Sequence, residues 1–260
     1  MIIIKLGGSA ITDKGESYSF NKDVVARLAG EIKRAGKKCI VIHGAGSFGH
    51  ITAEQFMLNE GLKDENQIIG FSLTHVTVRL LDLEIIDIFL KNGIRIFSIP
   101  PASVMRLNDH QPLSFNYEIF EEALDKGFTP ITFGDVVFDE KIGFSICSGD
   151  LLAEILTAHF KPEKVIFVID EDGLYTSNPK IDKNAKFIES IKYSEIEKLG
   201  LERDEHPDVT GGMQGKVNVI KKICQKGIDC ILVNGRHENR LYKVILGEPT
   251  RATIVYGEKK

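Results

Sequence analysis

Short apolar runs alternate along the chain with longer segments in which apolar residues recur every three or four positions. The short runs are rich in Ile and Val, which is typical of buried strands; they are Ile2–Leu6, Lys38–Ile42, Arg95–Ile99, Phe128–Phe133, Lys164–Ile169 and Asp229–Val233. The longer segments have helical periodicity; they are Asn21–Ala35, Ile68–Leu90, Asn116–Lys126, Gly149–Phe160 and Gly212–Lys226. This alternation predicts an α/β fold, a three-layer αβα sandwich with a mostly parallel central sheet.

Two segments interrupt the alternation. Phe133–Ser145 consists of short alternating pieces around Asp139 and Gly143, which predicts a β-hairpin. Gly173–Lys192 is polar and irregular, which predicts a surface loop with little helix. Within the Ile68–Leu90 helix, one face collects a set of large apolar side chains, namely Leu73, Val76, Leu80, Leu83 and Ile86.

The composition narrows the class of protein. The chain has 260 residues, 43% of them hydrophobic and 27% charged, and a net charge of −4, which argues against a general nucleic-acid binder. The apolar runs are far shorter than the ~18 residues of a membrane span, and the N-terminus lacks the order of a signal peptide. Four cysteines without a C-x-x-C pair predict core thiols in a reducing, cytoplasmic compartment. With no linker in the sequence, we expect one domain over 1–260.

Glycine-rich segments follow several of the predicted strands. They are Gly7-Gly8-Ser9, the run from Gly44 to Gly49, Ser148-Gly149-Asp150, and Asp170 to Gly173. Ligands of parallel sheets bind at the carboxyl ends of the strands, so these segments should lie close together. Glycine admits close backbone approach, and helix N-termini offer free N–H donors to anions. The arrangement therefore predicts ligands that carry phosphate.

One of these segments, GAGSFG at 44–49, also matches the dinucleotide-binding pattern G-x-G-x-x-G. That pattern requires an acidic residue about 20 positions later, at the end of the next strand. Asp64 and Glu65 stand at that distance, but they fall in a polar loop between predicted helices. The segment also follows the second strand and not the first, so a dinucleotide site is disfavoured. The sequence contains no G-x-x-x-x-G-K-[ST] loop.

Four cationic side chains accompany the glycine segments. Lys5 lies in an otherwise apolar strand, where its burial requires a charged partner unless the ammonium reaches solvent. Lys14 follows in a polar loop, and Lys216 lies near a helix start, where a cation opposes the helix dipole. His50 follows the second glycine segment. Each alone also suits a solvated or capping side chain, but together they favour polyphosphate binding. The sequence contains no metal-ligand motif.

Six segments together resemble the amino acid kinase superfamily and, within it, the isopentenyl phosphate kinase family. They are KLGGS at 5–9, ITDK at 11–14, HGAGSFGH at 43–50, SGD at 148–150, DEDGLYTSNP at 170–179 and TGGMQGK at 210–216. The resemblance implies the amino acid kinase fold and ATP-dependent phosphorylation of isopentenyl phosphate to isopentenyl diphosphate, in the alternative mevalonate pathway. The histidine that ends GAGSFGH is typical of the branch whose acceptors are isopentenyl phosphate and fosfomycin. Alternatives are a fosfomycin-type phosphonate kinase, another small-acid kinase, or a non-catalytic sensing domain, which would be expected to have lost its lysines.

The resemblance also implies roles for matching positions. The catalytic cations would be Lys5, Lys14, His50 and Lys216. The ATP-binding residues would be Lys5, Leu6, Gly7, Gly8, Ser9, Gly46, Asp170, Gly173, Tyr175, Pro179, Gly212 and Lys216. The acceptor-binding residues would be Ala45, Gly49, His50, Phe71, Gly149 and Asp150. Asp150 has two alternative roles: orienting Lys5, or capping its helix.

Further expectations concern the acceptor's tail and the assembly. Candidates for an apolar wall around the tail are Ile69, Phe71, Thr74, Val78, Ile86 and Ile146. About 1–160 would bind the acceptor and about 161–260 the nucleotide, with Mg²⁺ carried by the nucleotide and no metal bound by the protein alone. The resemblance implies a homodimer through the face around Ile68–Leu90, without nucleic-acid or membrane partners.

Overall fold

The computed structural model describes residues 1–13, 18–179, 181–198 and 212–258. Its strands are β1 (Ile2–Leu6), β2 (Cys39–His43), β3 (Ile96–Ser98), β4 (Met105–Asn108), β5 (Gln111–Phe115), β6 (Thr129–Phe133), β7 (Asp135–Asp139), β8 (Gly143–Cys147), β9 (Lys164–Ile169), β10 (Leu174–Tyr175), β11 (Phe187–Ile188), β12 (Ser190–Lys192), β13 (Asp229–Asn234) and β14 (Ala252–Tyr256). Its helices are α1 (Gly8–Ile11), α2 (Lys22–Ala35), α3 (Gly46–Gln55), α4 (Glu65–Lys91), α5 (Pro101–Val104), α6 (Glu118–Asp125), α7 (Gly149–Phe160), α8 (Gly212–Cys224) and α9 (Arg240–Leu246). Leu58–Glu60 and Tyr193–Lys198 are 3₁₀-helical.

The central sheet has eight strands in the order β12-β14-β13-β9-β1-β2-β6-β3. All neighbouring pairs are parallel except β13 and β14. A second sheet, in the order β5-β4-β7-β8, contains the antiparallel pair β7–β8, which confirms the predicted hairpin. The strand β1 lies between β9 and β2, so its carboxyl end is flanked by parallel strands on both sides.

The two faces of the central sheet are covered by separate helical layers. On β1, Ile3 belongs to the core that contains residues of α6, α7 and α8. Ile2, Ile4 and Leu6 belong to the core that contains residues of α2, α4 and α9. Since side chains alternate between the faces of a strand, Lys5 shares the face of Ile3 and points toward the layer of α7 and α8. The three-layer αβα prediction is confirmed.

The predicted strands and helices are all present, with ends that differ by at most three residues. The helix α2 begins after Asn21, whose side chain accepts a hydrogen bond from the Val24 N–H as an N-cap. The segment predicted as an irregular loop contains β10, β11 and β12. These strands have two or three residues each, which is too short for a period-two pattern to be recognised. The strands β4, β5 and β14 and the helix α9 were not predicted either.

The long helix α4 has two different apolar faces. One face, with Val78, Leu81, Ile85 and Phe89, is fully buried against the rest of the chain. The face predicted from the sequence lies largely at the surface: Leu73, Val76, Leu80 and Leu83 are each about half exposed, whereas Ile86 packs against the core. The helix is thus apolar nearly all round, and its outer stripe has no covering element among the described residues.

Candidate active site

A buried carboxylate joins two lysines at the carboxyl end of β1. The Lys5 Nζ lies 2.9 Å from Asp150 Oδ1, and the Lys216 Nζ lies 2.9 Å from Asp150 Oδ2. All three side chains are at most 13% exposed. Lys5 comes from the sheet, Asp150 from the first turn of α7 and Lys216 from the second turn of α8. The three elements together produce a net positive cluster.

The cap of α7 resolves one alternative for Asp150. The Ser148 hydroxyl accepts the Leu151 N–H at 3.0 Å and is the N-cap. The capping role considered for Asp150 is therefore wrong, because both of its carboxylate oxygens face lysine ammonium groups. The contact between Asp150 and Lys5 agrees with the other alternative, in which Asp150 orients that lysine.

Burial changes the protonation of this cluster. Burial is the largest influence on Lys5 and lowers its pKa to about 8, against the attraction of Asp150. Burial alone would raise the pKa of Asp150, but Lys216 and Lys5 hold it well below its ordinary value. The carboxylate is thus ionised at neutral pH and its charge is exceeded by that of two ammonium groups. Such a cluster suits a ligand that adds negative charge beside it.

Two glycine segments meet in direct backbone contact beside this cluster. A Cβ on Gly8 would stand 2.8 Å from the Gly46 Cα, and a Cβ on Gly44 would stand 2.7 Å from the Gly8 nitrogen. Gly46 has φ +52°, a left-handed conformation that glycine adopts without strain, and it begins α3. The contact brings the N-terminus of α1 and the N-terminus of α3 together, so backbone N–H donors of both loops converge.

A cavity opens beside the two loops. Its lining includes five of the predicted acceptor-binding residues, namely Ala45, Gly49, His50, Gly149 and Asp150. It also includes Lys5 and Gly8, which are predicted to bind ATP. Only glycine fits at position 49, because a Cβ there would stand 3.0 Å from Val78 Cγ2 and closer still to the Ala45 Cβ. The lining thus includes the Lys5 ammonium group and the half-buried His50.

The lining of the cavity also has an apolar part. Of the candidate wall residues, Thr74, Val78 and Ile146 line it, together with Ala53 and Val136. Phe71 lies behind that lining, 5.1 Å from the ring of Phe144, in a cluster that also contains Val136 and Ile146. Ile69 is 55% exposed, and Ile86 packs against the core on the other side of the sheet from α7 and α8.

Several predicted nucleotide residues lie at the carboxyl ends of β1 and β9, which are neighbouring parallel strands. The Ser9 hydroxyl donates to Asp170 Oδ1 at 2.7 Å, which ties the first glycine segment to the end of β9. Gly173 has φ +153°, and the Tyr175 ring lies edge-on to Phe187 at 5.5 Å. Leu6 and Gly7 are buried, Pro179 is exposed, and Gly212 begins α8. Lys14 lies outside the described residues.

A carboxylate that the sequence analysis did not single out organises this nucleotide side. Asp172 Oδ1 accepts from Arg240 Nη1 at 2.5 Å and Asp172 Oδ2 from Arg251 Nε at 2.6 Å. The Asn234 amide also reaches Asp172 Oδ1 at 3.3 Å and the Asp170 carbonyl at 3.3 Å. No sequence signal identifies these partners, because they come from elements 60 to 80 positions away along the chain.

Asp135 is another functional candidate that the sequence analysis missed. It lines the cavity, is 3% exposed, and accepts a hydrogen bond from His75 Nδ1 at 2.7 Å. Burial raises the pKa of Asp135, and the hydrogen bond to Asp135 raises the pKa of His75. The only sequence signal was its place directly after a predicted strand and Gly134.

Within the described ranges, no set of His, Cys, Asp and Glu side chains is grouped to hold a metal ion. Over the same residues, no helix combines the length and the apolar character needed to cross a membrane.

Comparison with known proteins places this geometry in a family. The model of the amino acid kinase family matches residues 1–234. The chain belongs to the amino acid kinase family. Within that family, it is 33% identical to the isopentenyl phosphate kinase of Methanothermobacter thermautotrophicus, over 99% of this chain and 100% of the relative.

Solved structures also show similarity to isopentenyl phosphate kinases. A crystal structure of an isopentenyl phosphate kinase superposes with a TM-score of 0.86 at 30% identity, covering 98% of this chain and 99% of the other. A product complex of the Thermoplasma acidophilum isopentenyl phosphate kinase superposes with a TM-score of 0.81 at 28% identity, covering 98% and 99%. The resemblance stated from the sequence motifs is confirmed.

Proposed function

We propose that the protein transfers the γ-phosphoryl group of ATP to isopentenyl phosphate and forms isopentenyl diphosphate. The observation that carries the proposal is the cavity, whose lining combines Lys5 and His50 with the apolar side chains of Val78, Val136 and Ile146. A monophosphate with a short branched apolar tail has the matching distribution of charge. The full-length similarity to isopentenyl phosphate kinases supports this acceptor.

The chemistry needs positioning and charge stabilisation more than a base. A phosphate oxygen of the acceptor is already ionised near neutral pH, so it can attack the γ-phosphorus directly. Donor and acceptor are both anions and repel each other. Lys5 and Lys216, kept in place by Asp150, would offset this repulsion and stabilise the charge that spreads over the transferring group. Lys14 would add a third ammonium group from its loop.

The acceptor phosphate would be bound by both side-chain and backbone N–H groups. His50 and the N–H groups at the start of α3, other than that of Ser47, which donates to Thr12, would hold the acceptor phosphate, since a helix N-terminus favours anions. Gly149 and Asp150 border the same space. Packing of the apolar lining against the acceptor's tail would remove water from the reacting groups and strengthen the interactions of the lysines with phosphate.

The nucleotide would lie over the carboxyl ends of β9 and β13, contacting the predicted ATP-binding residues. Residues 1–160 would thus form the acceptor lobe and 161–260 the nucleotide lobe of one domain. The metal enters as part of the substrate, MgATP. The Asp150 carboxylate is taken up by two lysines, which leaves the nucleotide phosphates as the main ligands of Mg²⁺.

A coupled assay tests the acceptor. Purified protein with MgATP would be offered isopentenyl phosphate, fosfomycin, N-acetylglutamate and UMP at equal concentrations. Turnover with isopentenyl phosphate should exceed turnover with each of the others. A preference for fosfomycin would favour the phosphonate kinase alternative, for which a more polar pocket is expected. No turnover with any acceptor would favour a sensing domain.

We further propose that the outer stripe of α4 pairs with a second copy of the chain. Ile69, Leu73, Val76, Leu80 and Leu83 are each 47–55% exposed along one helix. Exposed apolar side chains in such a row mark an interaction surface. Leu80→Lys should shift the protein from dimer to monomer in sedimentation velocity, whereas Leu113→Lys on β5, also 48% exposed, should not.

We also propose a cytoplasmic location, which the four thiols support. All four cysteines are free and buried. Reduced buried thiols suit the cytoplasm, where we place the enzyme.

A further inference from the structure

The side chain of Thr12 lies buried at the contact between the two glycine segments. We call this contact the seam, formed by Gly8, Gly44, Gly46, Ser47 and Thr12. The glycine positions leave no room for a Cβ between the loops, so the backbones touch. A Cβ on Gly46 would overlap the Thr12 side chain itself. Thr12 therefore fills the space that remains between the two loops.

The Thr12 hydroxyl bonds to both loops at once. Its Oγ1 donates to the Gly8 carbonyl at 2.9 Å and accepts the Ser47 N–H at 3.1 Å. The residue is 2% exposed, so water does not compete for either bond. Ser47 lies in the first turn of α3, where backbone N–H groups have no partner inside the helix. The hydroxyl thus links the end of the donor loop to the start of the acceptor loop.

We propose that Thr12 is a positioning residue that sets the distance between the donor phosphates and the acceptor phosphate. The inference rests on the proposed function, in which Gly8 borders the nucleotide phosphates and the loop from Ala45 to Gly49 holds the acceptor. Gly46 is also a predicted ATP contact and Gly8 also lines the acceptor cavity, but the charged groups proposed for each ligand do not depend on the link. Each ligand can therefore still bind when the link is cut. The transfer step, however, needs the attacking oxygen in line with phosphorus, and a displacement of about 1 Å can slow it about 10²-fold.

The discriminating variant is Thr12→Val, which keeps the shape and removes the hydroxyl. We expect kcat to fall about 10-fold or more, while KM for ATP and KM for isopentenyl phosphate each stay within about 3-fold. Thr12→Ser retains the hydroxyl and should recover most of the rate. Thr157→Val is the matched control, because the buried Thr157 hydroxyl has no hydrogen-bond partner among the described residues and its removal should leave kcat unchanged.

Amide hydrogen exchange tests the link without turnover. The Ser47 N–H should exchange faster in Thr12→Val than in the wild type, and Thr12→Ser should restore its protection. Thr12→Ala serves if the valine variant fails to fold, since it removes the hydroxyl without placing a methyl group against Gly46.

Three outcomes would overturn the proposal: an unchanged kcat in Thr12→Val, a rate loss explained by a higher KM for one substrate, or unchanged Ser47 exchange. A wild-type protein that is inactive on isopentenyl phosphate would instead refute the proposed function. The exchange measurement would then still decide whether Thr12 links the loops.

Discussion

The proposed acceptor side and the proposed nucleotide side of the site are built in different ways. The proposed acceptor side is a cavity with walls from α3, α4 and the β7–β8 hairpin. The nucleotide side consists of loops after β9 and β13 that are partly exposed and are tied together by Asp172, Arg240 and Arg251. The lysine pair on Asp150 lies between the two sides.

The difference follows from the size of the ligands. A five-carbon monophosphate offers few atoms for recognition, so the shape of a concave, apolar wall must supply most of the selectivity. A nucleotide is larger and offers a base, a sugar and several phosphates, which surface loops can contact one by one. The two sides should therefore respond differently to substitution, whereas the shared cations should affect both.

The largest effect is expected at the shared cations. Lys5→Met removes the central ammonium group, and kcat should fall about 10²-fold to 10³-fold, as for loss of one donor that stabilises transition-state charge. Asp150 keeps Lys216 as a partner, so the variant should remain folded. Steady-state kinetics measure the effect, with Lys164→Met on the neighbouring strand β9 as the control. Similar rates for the two variants would remove Lys5 from the reaction.

The next effect belongs to the acceptor side alone. His50→Ala should raise KM for isopentenyl phosphate about 10-fold or more, because a charge-assisted hydrogen bond contributes about 1.5–3 kcal/mol. KM for ATP should change little. His159→Ala, at a surface histidine stacked on Tyr117, is the control. Equal losses for both substrates would contradict the role assigned to His50.

The pH dependence of the reaction tests the buried lysine. Lys5 must be protonated to bind phosphate and its pKa is lowered to about 8, so kcat/KM for ATP should fall about tenfold per pH unit above that value. Bound phosphate favours the protonated form, so the fall in kcat should begin at higher pH. Lys5→Arg stays protonated and should lose the alkaline decline. A decline that persists in this variant would assign it to another group.

A smaller effect is expected on the nucleotide side. Asp172→Asn weakens the ion pairs with Arg240 and Arg251 and should raise KM for ATP about 3-fold to 10-fold, without changing KM for the acceptor. Asp87→Asn, which removes an exposed ion pair on α4, is the control. A change in acceptor KM alone would contradict the separation of the two sides.

The smallest effect concerns the wall of the cavity. Phe71 packs behind Ile146 and Val136, so Phe71→Ala should let the wall yield and increase the relative rate with longer prenyl phosphates by a few-fold. Phe97→Ala, at an exposed ring on β3, should leave the chain-length profile unchanged. An unchanged profile in Phe71→Ala would remove this residue from the wall.

The strands, the helices and several site residues were predictable because their signals are local. Lys5 stood out because an ammonium group inside an apolar strand needs a partner, and glycine segments after strands mark the ligand edge. Contacts between distant segments were not predictable. Nothing near Asp172 in the sequence indicates Arg251, and nothing near Thr12 indicates Ser47.

The helix α4 shows a second limit. Its apolar periodicity was correct, but the same pattern arises from packing inside one chain and from pairing between two chains. The sequence therefore identified the stripe from Leu73 to Leu83 without showing that it faces outward in the monomer.

The place of β1 in the sheet has a consequence for how the protein folds. β1 pairs with β2, which ends at His43, but its other neighbour, β9, begins only at Lys164. One edge of the strand that carries Lys5 therefore stays unpaired until more than half of the chain has been synthesised. An open, apolar strand edge invites wrong pairing. Folding of the site is thus a late, long-range event, and substitutions in β9 should slow folding as well as reduce stability.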